Sequence, residues 1–137
     1  MNELIRLDNI GKSYGDHEVL SDISLSIKEN EFVTLLGPSG CGKTTTLRII
    51  GGFETPDIGK VIFDGKDITN VPPNQRNVNT VFQNYALFPH MTVQENIAFG
   101  LRVSGKAEQY IKDKIAYGLK LVNLDGYGNR RVDKMSG

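Results

Sequence analysis

Residues 37–44 read GPSGCGKT and constrain the fold more than any other stretch of the chain. They satisfy the pattern G-x-x-x-x-G-K-[ST], between an apolar run at 31–36 and a helix-like segment at 44–50. The glycines let the backbone bend closely round an anion, because no Cβ stands in the way. Successive amide N–H groups and the N-terminus of the following helix would then face the same oxygens. The pattern predicts a phosphate-binding loop between a buried strand and a helix.

The polar side chains at the end of this loop suit a triphosphate. Lys43 can reach the β- and γ-phosphates, and the Thr44 hydroxyl can ligate Mg²⁺. The alternative is a glycine-rich strand-to-helix turn with no ligand. Cys41 is interpreted as a small residue at a variable loop position; the alternative is a thiol whose oxidation or alkylation would block nucleotide binding.

Composition narrows the class of protein. The chain has 137 residues, 39% of them hydrophobic, which suits one soluble domain. Lys plus Arg and Asp plus Glu are each 16, and this balance argues against non-specific nucleic-acid binding, which needs a positive field. The single cysteine excludes an intrachain disulfide and fits a reducing compartment. No stretch has the roughly 20 apolar residues that cross a bilayer, so at a membrane another chain would do the spanning.

Hydrophobic periodicity predicts five strands. They are residues 4–9, 19–27, 31–36, 60–63 and 77–82. The apolar run at 31–36 is typical of a strand buried on both faces of a parallel sheet. In the second strand Ile23, Leu25 and Ile27 are expected on one face. Asp64-Gly65 is a hairpin turn signal.

Three helices are predicted. The first spans 44–50 and ends at Gly51 and Gly52. The second spans 92–102 and is capped by Thr92, with Glu95 three residues on. The third spans 107–122, with an expected bend at Gly118 and an apolar stripe of Ile111, Ile115, Leu119 and Val122.

Four stretches together resemble the ATP-binding subunits of ABC transporters over the whole chain. They are KSYG at 12–15, GPSGCGKTT at 37–45, VFQNYALFPHMTVQENIAFGLR at 81–102 and MSG at 135–137. With residues 64–93, the chain looks most like the ATPases of spermidine/putrescine importers; the maltose, sulfate and iron importers share a similar layout. The resemblance implies an α/β P-loop NTPase with an antiparallel β subdomain. Residues 1–91 would form the β/ATP-binding core and 92–137 the start of a helical subdomain.

The resemblance also implies roles for single residues. Tyr14 matches the aromatic residue that stacks on adenine, whereas alone it would suggest a surface turn. Gln83 matches the glutamine that ligates Mg²⁺ together with Thr44 and orients the attacking water. The ATP-binding residues expected from the loop and the resemblance are Tyr14, Gly37, Pro38, Ser39, Gly40, Cys41, Gly42, Lys43, Thr44 and Thr45.

An apolar run follows Gln83 where a polar loop would be expected. Its members are Tyr85, Ala86, Leu87, Phe88 and Pro89. By resemblance, part of this run would dock a short helix of the membrane-spanning partner; the alternative is packing into the domain's own core. His90 has no second metal-type residue at metal spacing and is not expected to be a ligand.

The last residues, KMSG at 134–137, resemble the start of the family signature LSGGQ. By resemblance, Ser136 and Gly137 would contact the nucleotide of a second ATPase subunit in a head-to-tail dimer. The sequence has no apolar strand ending in Asp-Glu, so we expect no catalytic general base before residue 137. We therefore expect an N-terminal piece of a longer ATPase, which alone hydrolyses ATP negligibly.

The resemblance implies an energy-coupling subunit of a polyamine importer that uses ATP and Mg²⁺. Its partners would be a second ATPase subunit, transmembrane permease subunits and, indirectly, a solute-binding protein, at the cytoplasmic face of a bacterial membrane, with no nucleic acid. One alternative is the importer ATPase of another solute. Another is a non-transport relative acting on nucleic acid or the ribosome, which zero net charge and ALFPHMTV disfavour. The third alternative is a small P-loop GTPase or kinase. A GTPase is disfavoured because no N-K-x-D motif is present, and a kinase for small metabolites because it would need a lid and would not need KSYG or MSG.

Overall fold

The computed structural model describes residues 2–38, 40–82 and 86–135. The chain forms two compact units, Met1–Thr80 and Val81–Gly137. The first unit contains β1 (Glu3–Tyr14), β2 (His17–Lys28), α1 (Lys43–Gly51), β3 (Ile58–Phe63) and β4 (Lys66–Asp67), with a 3₁₀ turn at Pro73–Gln75. The second contains α2 (Val93–Val103), α3 (Glu108–Leu121) and a 3₁₀ turn at Val132–Lys134. The predicted boundary between residues 91 and 92 falls inside the second unit, and the assignment of the two parts stays a prediction.

The strands of the first unit form one antiparallel sheet in the order β2-β1-β3-β4. The turn between β3 and β4 has positive φ at Asp64 (47°) and Gly65 (78°). Positive φ at both central residues is what a tight hairpin needs to match the twist of its strands. The predicted hairpin signal is therefore confirmed.

The core of the first unit lies between this sheet and α1. Its buried members are Leu7, Ile10, Leu20, Ile49, Ile50 and Val61. Helix α1 buries Thr46, Ile49 and Ile50, which share one face at helical spacing, while Leu47 stays 55% exposed. The predicted helix is confirmed, and it ends with Gly52 in the left-handed region at φ 88°.

Two of the five predicted strands are wrong. Residues 31–36 and 77–82 are not in strands, and Phe32, Leu36 and Val81 are 94%, 87% and 86% exposed. A strand needs hydrogen-bonding partners beside it, and none of the described strands pairs with either segment. Of the three residues predicted to share a face of β2, Leu25 packs against the core and Ile27 is half-buried, whereas Ile23 is 36% exposed; Leu20 is the buried residue of this strand.

The helices of the second unit begin as their sequences predict. The Thr92 side chain accepts a hydrogen bond from the Glu95 amide at 3.2 Å, and the Glu95 carboxylate accepts from the Thr92 amide at 3.4 Å, which completes a capping box. Helix α3 runs through Gly118 to Leu121 without interruption, and the expected bend stays a prediction. The helix buries Ile111 and Leu119, whereas Val122 follows its end and is 59% exposed. Among the described residues, no helix is long and apolar enough to span a membrane.

Candidate nucleotide-binding site

The phosphate-binding loop runs directly into α1. Gly42 caps the helix at φ 94°, and its carbonyl accepts both the amide N–H of Thr46 at 2.9 Å and the Thr46 hydroxyl at 2.8 Å. These two bonds fix the first turn. The amide groups at the start of a helix have no acceptor within the helix, so they remain available to an anion. No acidic residue lies in the first turn to oppose one.

Gly42 is also where β2 touches the loop. A Cβ at this position would lie 2.6 Å from Leu20 Cδ2 and 3.1 Å from the Val19 carbonyl oxygen. Both the positive φ and the lack of space therefore require glycine. The sheet sets the position of the loop through this contact.

A cavity of about 420 Å³ opens in front of the loop. Its lining residues are His17, Val19, Gly40, Gly42, Lys43, Thr44 and Thr45. The size is in the range of small-molecule sites. Thus the structure brings together Gly40, Gly42 and the three residues at 43–45, as the sequence predicts.

His17 and Val19 were missed by the sequence analysis. They stand two residues apart on β2 and therefore share a face of the strand. The signal that could have found them is this alternation, extended from Tyr14, which pairs with His17 across the hairpin. The β1–β2 hairpin thus provides one wall of the cavity.

The Lys43 ammonium donates to the Gly37 carbonyl oxygen within the loop. The cation is consequently held against the loop's own backbone. Binding a phosphate would require this ammonium to exchange a neutral acceptor for an anionic one. Such a charge-assisted hydrogen bond is the stronger of the two.

Tyr14 ends β1 with its side chain 45% exposed. The Lys12 ammonium lies 5.3 Å from its ring centroid, within cation–π range. The ammonium is itself held by the Thr55 carbonyl at 3.0 Å and by Glu54 and Asp57, each at 3.5 Å. This network supports the aromatic ring that the resemblance assigns to adenine.

The network shifts the pKa values of its members. The Ser13 amide, which donates to the Asp57 carboxylate at 2.8 Å, is the main cause that lowers the pKa of Asp57, and Lys12 adds to it. Desolvation acts to lower the pKa of Lys12, but Asp57 and Glu54 together outweigh it, and that pKa is raised. Both groups are therefore charged at neutral pH.

The remaining predicted ATP-binding residues are only partly described. Gly37, Pro38 and Cys41 belong to the loop but do not line the cavity. The Cys41 thiol is free and exposed, and it packs beside Gly37, where a Cβ would lie 2.6 Å from Sγ. Five predicted site residues lie outside the described residues: Ser39, Gln83, Tyr85, Ser136 and Gly137.

The described part of the docking run contains one half-buried member, Phe88, and three exposed members. Phe88 packs on Phe99 of α2 with ring centroids 4.5 Å apart. Asn96 holds the Phe88 backbone, accepting its N–H at 2.9 Å and donating to its carbonyl at 3.2 Å. Leu87 is 53% exposed, and Ala86 and Pro89 are exposed as well. The exposed members are free to meet a partner, while Phe88 packs within its own unit.

Comparisons with known proteins give the family. The ABC transporter family profile matches residues 20–137. The spermidine/putrescine import ATP-binding protein of Acetivibrio thermocellus is 59% identical over 99% of this chain, and that of Clostridioides difficile is 56% identical over 100%. The chain spans 39% and 40% of the length of these two relatives.

Solved structures of ATP-binding cassettes share the fold. A dimeric post-hydrolysis state of the cassette MJ0796, bound to ADP and Pi, has a TM-score of 0.82 at 28% identity and covers 97% of this chain and 63% of its own. The cassette MJ1267 of an ABC transporter has a TM-score of 0.79 at 29% identity and covers 100% of this chain and 60% of its own. The predicted α/β P-loop NTPase fold is confirmed, and the chain belongs to the ABC transporter family.

Proposed function

We propose that this chain is the ATP-binding part of an energy-coupling subunit that drives polyamine import. The observation that carries the proposal is the cavity in which Lys43, Thr44 and the start of α1 lie together. The names of the relatives, at 56–59% identity, support spermidine and putrescine as the solutes. The proposed location is the cytoplasmic face of a bacterial membrane.

Each residue around the cavity has a role that follows from its chemistry. The first-turn amides and the Lys43 ammonium bind the phosphates, because both present positive charge to one opening. Tyr14 offers its exposed ring to the adenine base. His17 and Val19, which line the cavity from β2, contact the bound nucleotide.

The cavity also supplies part of the ligand set that Mg²⁺ would need. The Thr44 hydroxyl lines it and supplies one hard oxygen ligand. Among the described residues no cluster of His, Cys, Asp or Glu could hold a metal ion, so the remaining ligands would be phosphate oxygens, water and Gln83. When bound, the ion would neutralise charge on the phosphates.

ATP hydrolysis is proposed for the full-length protein only. Among the described residues that line the cavity there is no Asp or Glu, so no carboxylate there could serve as the general base for water. In the full-length protein we propose a head-to-tail dimer, in which Ser136 and Gly137 face the other subunit's nucleotide. Transmembrane permease subunits would bind the exposed docking residues, with a solute-binding protein acting through them.

The experiment is uptake of labelled spermidine by bacterial cells that depend on the full-length subunit. Lys43→Ala should abolish uptake, because the phosphates lose their cation. Lys66→Ala, an exposed lysine of β4, is the matched control and should leave uptake unchanged. Excess putrescine should compete, whereas maltose and sulfate should not. Uptake that persists in Lys43→Ala, or competition by maltose, would contradict the proposal.

A further inference from the structure

Arg76 is a buried cation without an acidic partner among the described residues. Its side chain is 8% exposed, and its guanidinium donates to four backbone carbonyls. Nη1 bonds the carbonyls of Ile49 at 2.9 Å and Ile50 at 3.0 Å, both in the last turn of α1. Nε bonds Val71 at 2.8 Å, and Nη2 bonds Thr69 at 3.1 Å. The side chain thus joins the end of α1 to the loop at 69–71.

The contact between Arg76 and the end of α1 depends on the positive charge and the several N–H donors of a guanidinium. The last carbonyls of a helix have no N–H donor from a following helical turn and carry the negative end of the helix dipole, which a cation stabilises. Burial lowers the pKa of Arg76, yet a guanidinium remains charged in proteins. A buried charge is tolerated only when its donors are satisfied, and here four carbonyls satisfy them.

Gly52 makes room for the guanidinium. A Cβ at this position would lie 2.7 Å from Arg76 Nε and 3.0 Å from Cζ. Gly52 also has φ 88°, which ends the helix. Gly52, the C-terminal cap of α1, and the Arg76 guanidinium therefore form one contact.

We propose that Arg76 is a positioning residue for the phosphate site, acting through α1. The helix is a short rod of nine residues with Lys43 at its first position. Holding the carbonyl end against the loop at 69–71 fixes the direction in which the amide end and Lys43 point. This inference rests on the proposed ATP site and adds to it a residue outside the cavity.

The test is a double-mutant cycle in the full-length subunit, with the Kd of Mg-ATP as the readout. Arg76→Lys keeps the charge but cannot reach four carbonyls, and it should raise the Kd about tenfold, since small misplacements of binding groups are costly. Arg76→Gln should raise it further, so the lysine variant is a partial rescue. Gly52→Ala should displace the guanidinium, and its effect should not add to that of Arg76→Lys, because both break one contact.

Val61→Ala is the matched control for stability, because Val61 is fully buried in the same core and the substitution keeps the backbone N–H that donates to the Thr69 hydroxyl at 2.9 Å. It should lower the melting temperature while leaving the Kd of ATP within twofold. If Arg76→Lys shifts the Kd no more than Val61→Ala does, or if the two effects of the cycle simply add, Arg76 does not position the site.

A measurement on the unmodified protein covers the case in which the variants fail to fold. The Nε–H resonance of Arg76 should shift and exchange more slowly with solvent when Mg-ATP is added, while that of exposed Arg102 should not change. An unchanged Arg76 resonance at saturating ATP would overturn the inference. If the unmodified protein binds no ATP, the proposed function itself fails, which is a distinguishable result.

Discussion

The Lys12 ammonium lies 5.3 Å from the centre of the Tyr14 ring, and Glu54 and Asp57 hold it there. Tyr14 as a residue is 45% exposed. One strand end therefore carries an aromatic surface supported by a fixed cation, beside the hairpin that lines the cavity. This arrangement leads to the first prediction, on base recognition.

Tyr14→Ala should weaken ATP binding by about two- to tenfold, because an aromatic stacking contact contributes about 0.5–1.5 kcal/mol. Tyr14→Phe keeps the ring and should bind within about twofold of the unmodified subunit. Isothermal titration with ATP measures both, and Tyr117→Ala, an exposed tyrosine on α3, is the control. Equal affinities for Tyr14→Ala and the unmodified protein would remove Tyr14 from the site.

The stability of the folded chain should depend on pH through Asp57. The pKa of Asp57 is lowered in the folded chain, so its contribution to stability is present above the ordinary aspartate pKa of about 3.9 and is lost as pH falls through the lower, folded value. Carbon-detected NMR titration should find this carboxyl group titrating below an ordinary aspartate. Lys12→Met should raise the pKa only part of the way, since the Ser13 amide remains. A pKa at the ordinary value in the unmodified protein would contradict the network.

Replacing Gly42 should change both the stability of the fold and the affinity for ATP. Gly42→Ala should destabilise the fold by about 1–3 kcal/mol, because of its φ and the contact with Leu20, and should weaken ATP binding at the same time. Gly118→Ala is the matched control, because nothing lies within 4 Å of a Cβ there. It should stabilise α3 by about 0.5–1 kcal/mol. Thermal unfolding with and without ATP measures both, and a neutral Gly42→Ala would be incompatible with the close approach.

The features predicted correctly from the sequence are those that depend on residues close together along the chain. The loop and α1, the turn at Asp64-Gly65 and the capping box at Thr92 each depend on residues within a few positions of one another. The strands at 31–36 and 77–82 failed because an apolar run specifies burial only when partner strands are beside it. Arg76 was missed because a lone arginine in a polar loop reads as exposed, and only contact with α1, 26 residues earlier at Ile50, buries it.

Leu87 and Phe88 are neighbours in the predicted docking run, but we expect their substitutions to have different effects. Leu87→Asp should abolish co-purification with the permease subunits without changing stability, because Leu87 is exposed. Phe88→Ala should instead lower the free energy of unfolding by about 1.5–3 kcal/mol, since its half-buried ring packs on Phe99. Leu121→Asp, an exposed leucine on α3, is the control for adding a charge. Normal co-purification of Leu87→Asp would exclude Leu87 from the interface.

ATP binding at the proposed site depends most directly on a contact between Lys43 and a phosphate in the cavity at the start of α1. An equilibrium titration of the full-length subunit with Mg-ATP tests this, comparing Lys43→Ala with Lys66→Ala. We predict a Kd at least about tenfold higher for Lys43→Ala, because a hydrogen bond to a charged group contributes about 1.5–3 kcal/mol, and no change for Lys66→Ala. Equal affinity for ATP in the unmodified subunit and Lys43→Ala would contradict the account.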